Sequence, residues 1–193
     1  MKLFLKPLLA TSVLAAMLTS PAVDAKDAQF KAMVKVKNLF SVTSSAPLDF
    51  GMIRAQSHDT DTASLVVSPD PEAGPQAPTN PTGGTATINV ITAGSPASFD
   101  VSEAAPNQEL TITNPTNVDV KPIAGSGPSF TLSDFSYHVT SGGTVGRVTD
   151  NKFKVDNEGN ASFNMGATLS TNAATENYED GEYEADLEIT LDY

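Results

Sequence analysis

The fold class that this sequence predicts is an antiparallel all-β sandwich of roughly eight to nine strands. Three observations lead there. Apolar residues recur with a period of two in short runs, and no apolar stretch keeps a 3.6-residue period for three turns. Gly, Pro, Asn and Asp punctuate those runs, as turns require. Ser and Thr supply 35 of the 168 residues that follow position 25.

Residues 1–25 are read apart from the fold. Lys2 and Lys6 precede an apolar run from Leu8 to Leu18, Pro21 breaks it, and Val23-Asp24-Ala25 offers a cleavage site. That is the layout of a secretory signal peptide. The run is shorter than the ~20 residues a membrane span needs. A single domain over residues 26–193 is expected to remain, exported to the periplasm, the cell surface or the medium.

The strands then follow in order. Residues 30–43 form the first, with Phe30, Ala32, Val34 and Val36 on one side and Lys31, Lys35 and Lys37 on the other. Residues 63–67 (ASLVV) form the next. Residues 68–84 carry Pro69, Pro71, Pro75, Pro78 and Pro81 and read as a long exposed loop, because proline removes ladder donors. Residues 85–92 (TATINVIT), 97–101 and 108–113 (QELTIT) are further strands. In 131–140, Leu132 and the set Phe135, Tyr137 and Val139 fall out of phase, which places a bulge at Ser133-Asp134. Residues 152–155 and 161–170 flank an Asp-Asn-Glu-Gly-Asn turn and read as a hairpin. The last strand, 183–193, is the clearest: Tyr183, Ala185, Leu187, Ile189 and Leu191 alternate with Glu184, Asp186, Glu188, Thr190 and Asp192. Such alternation needs one buried and one wet face. Strand number and length match an immunoglobulin-like sandwich.

Charge excludes whole classes of function. The chain has 11 basic and 23 acidic residues; without the signal segment it has nine and 22, a net −13. A pI near 4.3 argues against a nucleic-acid binder, which needs a basic face. The absence of Cys removes disulfides, thiolate metal sites and cysteine nucleophiles.

Catalysis finds little support. His58 lies in a polar loop and His138 inside an alternating strand, and no GxSxG elbow is present. Paired carboxylates acting on sugars call for an aromatic-lined cleft, and the chain has no Trp. The expectation is a protein without enzymatic activity and without a cofactor. Calcium has candidate oxygen ligands in Asp59, Asp61, the turn at 156–160 and Glu179-Asp180-Gly181-Glu182. None has the spacing of the twelve-residue calcium loop, and Asp, Asn and Gly also simply make turns. No metal is assigned.

The distribution of charge says more. Residues 26–54 carry five basic and two acidic residues, and residues 176–193 carry eight acids and no base. Opposite charges facing across neighbouring strands contribute roughly 0.2–1 kcal/mol per pair. Lys31, Lys35 and Lys37 are therefore expected beside Glu184, Asp186 and Glu188. They pair within one molecule, or the first strand of one copy adds to the open edge of the next.

Two stretches carry a resemblance. Leu48-Asp49-Phe50-Gly51 resembles the LxFG signature of a bacterial secreted family known as domain of unknown function 4402. The ending is similar as well: Gly159, then Met165-Gly166-Ala167-Thr168-Leu169, then Gly181-Glu182-Tyr183 opening a strand that stops at Tyr193. The family motif thus falls on Leu48, Phe50, Gly51, Gly166, Gly181, Tyr183 and Tyr193. The closing strand is also similar to those of spore-coat-U and fimbrial-type subunits. That resemblance implies an immunoglobulin-like fold and assembly by strand donation, with no catalytic or cofactor residue. The expected function is an exported structural or interaction module of the cell envelope or surface, a fimbrial-like subunit whose partner is itself or another envelope subunit. A small outer-membrane barrel and an exported ligand- or calcium-binding domain are the alternatives.

Overall fold

The computed structural model describes residues 31, 33, 34, 39–116 and 118–193. The expected signal segment, Lys35 and Lys37 lie outside the described residues. The chain divides into two units, Met1–Lys35 and Val36–Tyr193. In the first, Lys31, Met33 and Val34 are exposed and lie in no strand. The expected strand over 30–43 is therefore not formed at those positions. Among the described residues strand structure starts at Ser41.

The second unit is all-β. Its strands are β1 (Ser41–Ala46), β2 (Asp49–Gln56), β3 (Ser64–Val67), β4 (Thr87–Ser95), β5 (Ala97–Ser102), β6 (Glu109–Thr113) and β7 (Val118–Pro122). They continue with β8 (Phe130–Ser141), β9 (Gly146–Arg147), β10 (Lys152–Lys154), β11 (Ala161–Thr171), β12 (Tyr183–Glu184) and β13 (Thr190–Asp192). One large sheet runs β1-β5-β11-β8-β7-β12, with β3 also on β11 and β9 also on β8. Two smaller sheets, β10-β6-β13 and β2-β4, supply the facing layer. Every pairing is antiparallel.

The core explains this layering. Alternate residues of β5, β8 and β11 meet Leu110 and Ile112 of β6 and Phe153 of β10 in one buried cluster. Phe163 of β11 is 0% exposed and stacks on Phe99 at 5.1 Å, with Phe153 at 5.2 Å and Tyr137 at 6.1 Å between ring centroids. Each such buried ring stabilises the fold by roughly 1.5–3 kcal/mol. At the other end, Phe50, Ile53 and Ala55 of β2 cover Phe130, Leu132 and Leu169, while Ala63, Leu65, Ala86 and Ile88 close the side. The apolar faces thus meet between layers, the reverse of a membrane barrel's outward apolar band.

The bulge expected at Ser133-Asp134 is present. Between Gly166↔Ser136 and Thr168↔Ser133, two residues of β8 oppose one of β11, and Asp134 takes φ +51°. The expected hairpin at 152–170 is not formed. β10 pairs with β6, whereas β11 pairs with β5, β8 and β3. Phe153 and Phe163 approach the same cluster from opposite layers, so the turn at 156–160 crosses between sheets. Asp156 shapes that crossing: its Oδ1 accepts the N–H groups of Glu158 and Asn160, each at 2.8 Å. Those bonds, that of Asn160 foremost, hold its carboxyl below the usual carboxylate range.

The proline-rich loop runs between β3 and β4, as expected, yet it is tied down. Thr79 exchanges two backbone bonds with Ser64, at 2.8 and 2.9 Å. Asn164 donates to the Pro69 carbonyl at 3.1 Å, and Asp70 lies 3.8 Å from His138 Nδ1.

Candidate functional site

The acidic end of the chain keeps its alternation but not its continuity. Tyr183, Ala185, Leu187, Ile189 and Leu191 are half-buried, while Glu184, Asp186, Glu188, Thr190 and Asp192 are exposed. The expected single strand is divided in two. β12 sits on the edge of the large sheet, Tyr183 opposite Pro122 and Glu184 opposite Lys121. β13 pairs with β6, Leu191 opposite Ile112. The segment must therefore pass from one layer to the other, and Leu187 packs against the core clusters of both ends.

Residues 185–189 are the consequence. Their burial keeps the period of two that marks extended backbone. Among the described residues they have no ladder partner. Beside them lies an open hollow of about 560 Å³, lined by Val118, Asp119, Lys121, Ile123, Glu184 and Asp186. Ile123 is an exposed apolar residue there. A stretch with one side anchored in the core and its backbone groups unpaired is a template for another strand.

Of the residues expected to pair, Glu184, Asp186 and Glu188 are thus exposed along one line. Among the described residues none of the three has an ion-pair partner. Lys31 is exposed, and Lys35 and Lys37 fall outside the described residues. Lys121, which faces Glu184 in register, was not singled out from the sequence. The alternation of Val118 and Val120 with Asp119 and Lys121 is the signal that reveals β7.

The motif residues hold the frame of this region. Leu48 packs on the main cluster and Phe50 on the two others. Gly51 takes φ +74°, and a Cβ there would stand 2.1 Å from the Thr92 carbonyl oxygen. Gly166 is packed as closely, 2.1 Å from the Val67 oxygen. Around Gly181 there is open space. Tyr183 packs edge-on to Phe130 at 5.3 Å and Tyr178 stacks on the same ring at 4.1 Å. Burial raises the pKa of both tyrosines. Tyr178 accepts the Asn172 N–H and donates to the Ser129 carbonyl, at 2.9 and 3.0 Å. Tyr193 closes the chain against Phe40.

The other candidates are placed elsewhere. His58 Nδ1 lies 3.1 Å from Asp59 and 3.4 Å from Asp61 on a surface loop. Among the described residues no three His, Asp or Glu side chains are arranged to hold a metal ion, and no helix is long and apolar enough to cross a membrane. A separate cleft of about 200 Å³ opens between β3, β4 and the proline-rich loop, with Phe50, Val66, Val90 and Pro71 in its walls.

Fold and site together define an all-β sandwich whose C-terminal segment spans two sheets and leaves between them a stretch unpaired among the described residues. The chain belongs to the family described as domain of unknown function (DUF4402), whose family model matches residues 40–193. The match contains every motif residue from Leu48 to Tyr193. Searches of curated proteins and of solved structures each return no match.

Proposed function

We propose that this protein is an exported structural module of the bacterial cell envelope or surface, without enzymatic activity, that associates by strand addition. The observation that carries this reading is the half-buried stretch 185–189, which has no ladder partner among the described residues. Its side chains are already anchored, so an incoming strand meets a rigid template and needs little further ordering of the acceptor. The sequence similarity of the closing strand to fimbrial-type subunits supports the same reading, as does the secretory layout of residues 1–25.

The test is the oligomeric state of the chain from residue 26 onward, followed by light scattering over a wide concentration range. Association that persists in detergent-free buffer is expected. A species that stays monomeric into the hundreds of micromolar would count against strand addition.

A further inference from the structure

We infer that residues 30–37 of a second copy of this chain are the strand that stretch 185–189 accepts. The inference rests on the strand-addition reading above and names its partner. Three observations carry it. First, the acceptor already has two sides. Leu187 and Ile189 are fixed on the core, and Glu184, Asp186 and Glu188 line the outer side without ion-pair partners among the described residues.

Second, residues 30–37 have the complementary pattern. Phe30, Ala32, Val34 and Val36 alternate with Lys31, Met33, Lys35 and Lys37, three bases and no acid. Elsewhere bases are sparse: only Arg54, Lys121, Arg147, Lys152 and Lys154 follow residue 37. No other segment of the chain places three bases within seven residues.

Third, one antiparallel register satisfies both sides at once. Setting Lys35 opposite Glu184 brings Lys31 opposite Glu188 and Lys37 opposite Glu182. The same register sets Phe30 opposite Ile189, Ala32 opposite Leu187 and Val34 opposite Ala185. Phe30, Ala32 and Val34 then face apolar residues and each of the three bases faces an acid, Met33 alone standing opposite an acid, Asp186, and the donated backbone supplies a ladder.

Two full-length mature variants test this. One carries K31E, K35E and K37E; the other carries E182K, E184K and E188K. All six positions lie on outer sides by pattern or by exposure, and circular dichroism checks that each variant is folded. Each variant alone should associate at least tenfold more weakly than the wild type. An equimolar mixture should recover the loss, since each copy then offers a strand that fits the other's edge. Should E184K prove disruptive beside Lys121, E184Q with E182Q and E188Q replaces it, and a smaller weakening is expected. Wild-type association that neither variant changes overturns the partner assignment and leaves strand addition standing. Folded variants whose mixture stays dissociated also overturn it. A wild-type chain that never associates overturns both.

Discussion

The ring of Tyr193 meets that of Phe40 edge-on, with centroids 5.2 Å apart and planes at 89°. The last residue of the chain thereby packs against the residue that leads into β1. Its hydroxyl also accepts the N–H of Ala105 at 3.2 Å. Edge-to-face pairs contribute about 0.5–1.5 kcal/mol beyond their buried area, and a hydrogen bond about 1. Tyr193→Ala should thus lower stability by about 1–2 kcal/mol in urea unfolding, and Tyr193→Phe by roughly half of that. Equal losses for the two variants would assign the whole effect to the hydroxyl and none to the ring.

Gly51 and Gly83 separate backbone strain from steric conflict. Both have φ near the left-handed region, +74° and +73°, but only Gly51 has atoms in the way. Gly83→Ala should cost about 1 kcal/mol, the price of φ alone. Gly51→Ala should cost on the order of 3 kcal/mol or more, since the β2–β4 ribbon must move to admit a methyl group. Similar midpoints for the two variants in a thermal melt would remove the close approach to Thr92 as the cause.

Tyr137 makes the fold sensitive to alkali. The residue is 1% exposed, its hydroxyl has no hydrogen-bond partner among the described residues, and burial pushes its pKa up to about 12. The folded state favours the neutral phenol, so its contribution is complete below the unfolded value of about 10 and is lost as pH rises to about 12. Tyr137→Phe should match or exceed the wild type at neutral pH, because an unsatisfied polar atom is removed. It should also unfold less readily across that alkaline window. A variant with the same alkaline midpoint as the wild type would show that other groups set it.

At the acid end Asp156 acts in the opposite direction. Its pKa is lowered by the N–H groups it accepts, so its contribution is present above the unfolded carboxylate value of about 4 and fades as pH falls. Asp156→Asn keeps the shape but not the charge. Its stability should therefore be lower at neutral pH and flatter below about pH 4. Chemical unfolding at a series of pH values reads this directly, and parallel curves for the two proteins would refute it.

Much of this fold is legible in local patterns. The half-buried side of 183–191 was readable from Tyr183, Leu187 and Ile189, and the β8 bulge from the phase change between Leu132 and Phe135. β2 was not, because its own register shift at Met52/Ile53 breaks the period of two. β7 was legible in the alternation of Val118 and Val120 with Asp119 and Lys121 but was not read. The candidate site was half-legible: its acids are evident, while the lack of a ladder partner for 185–189 among the described residues has no sequence signal at all.

The sequence by itself determined an acidic all-β chain, the inward side of most strands, and the opposition of a basic start to an acidic end. Only the tertiary structure decided that β10 and β11 part company across Asp156, that Glu184 stands opposite Lys121 in register, and that the final segment divides between two sheets. The physical reason is that side-chain alternation specifies which face of a strand is buried. Its neighbour is selected through backbone hydrogen bonds, which are alike at every residue, and through the packing of one layer on another.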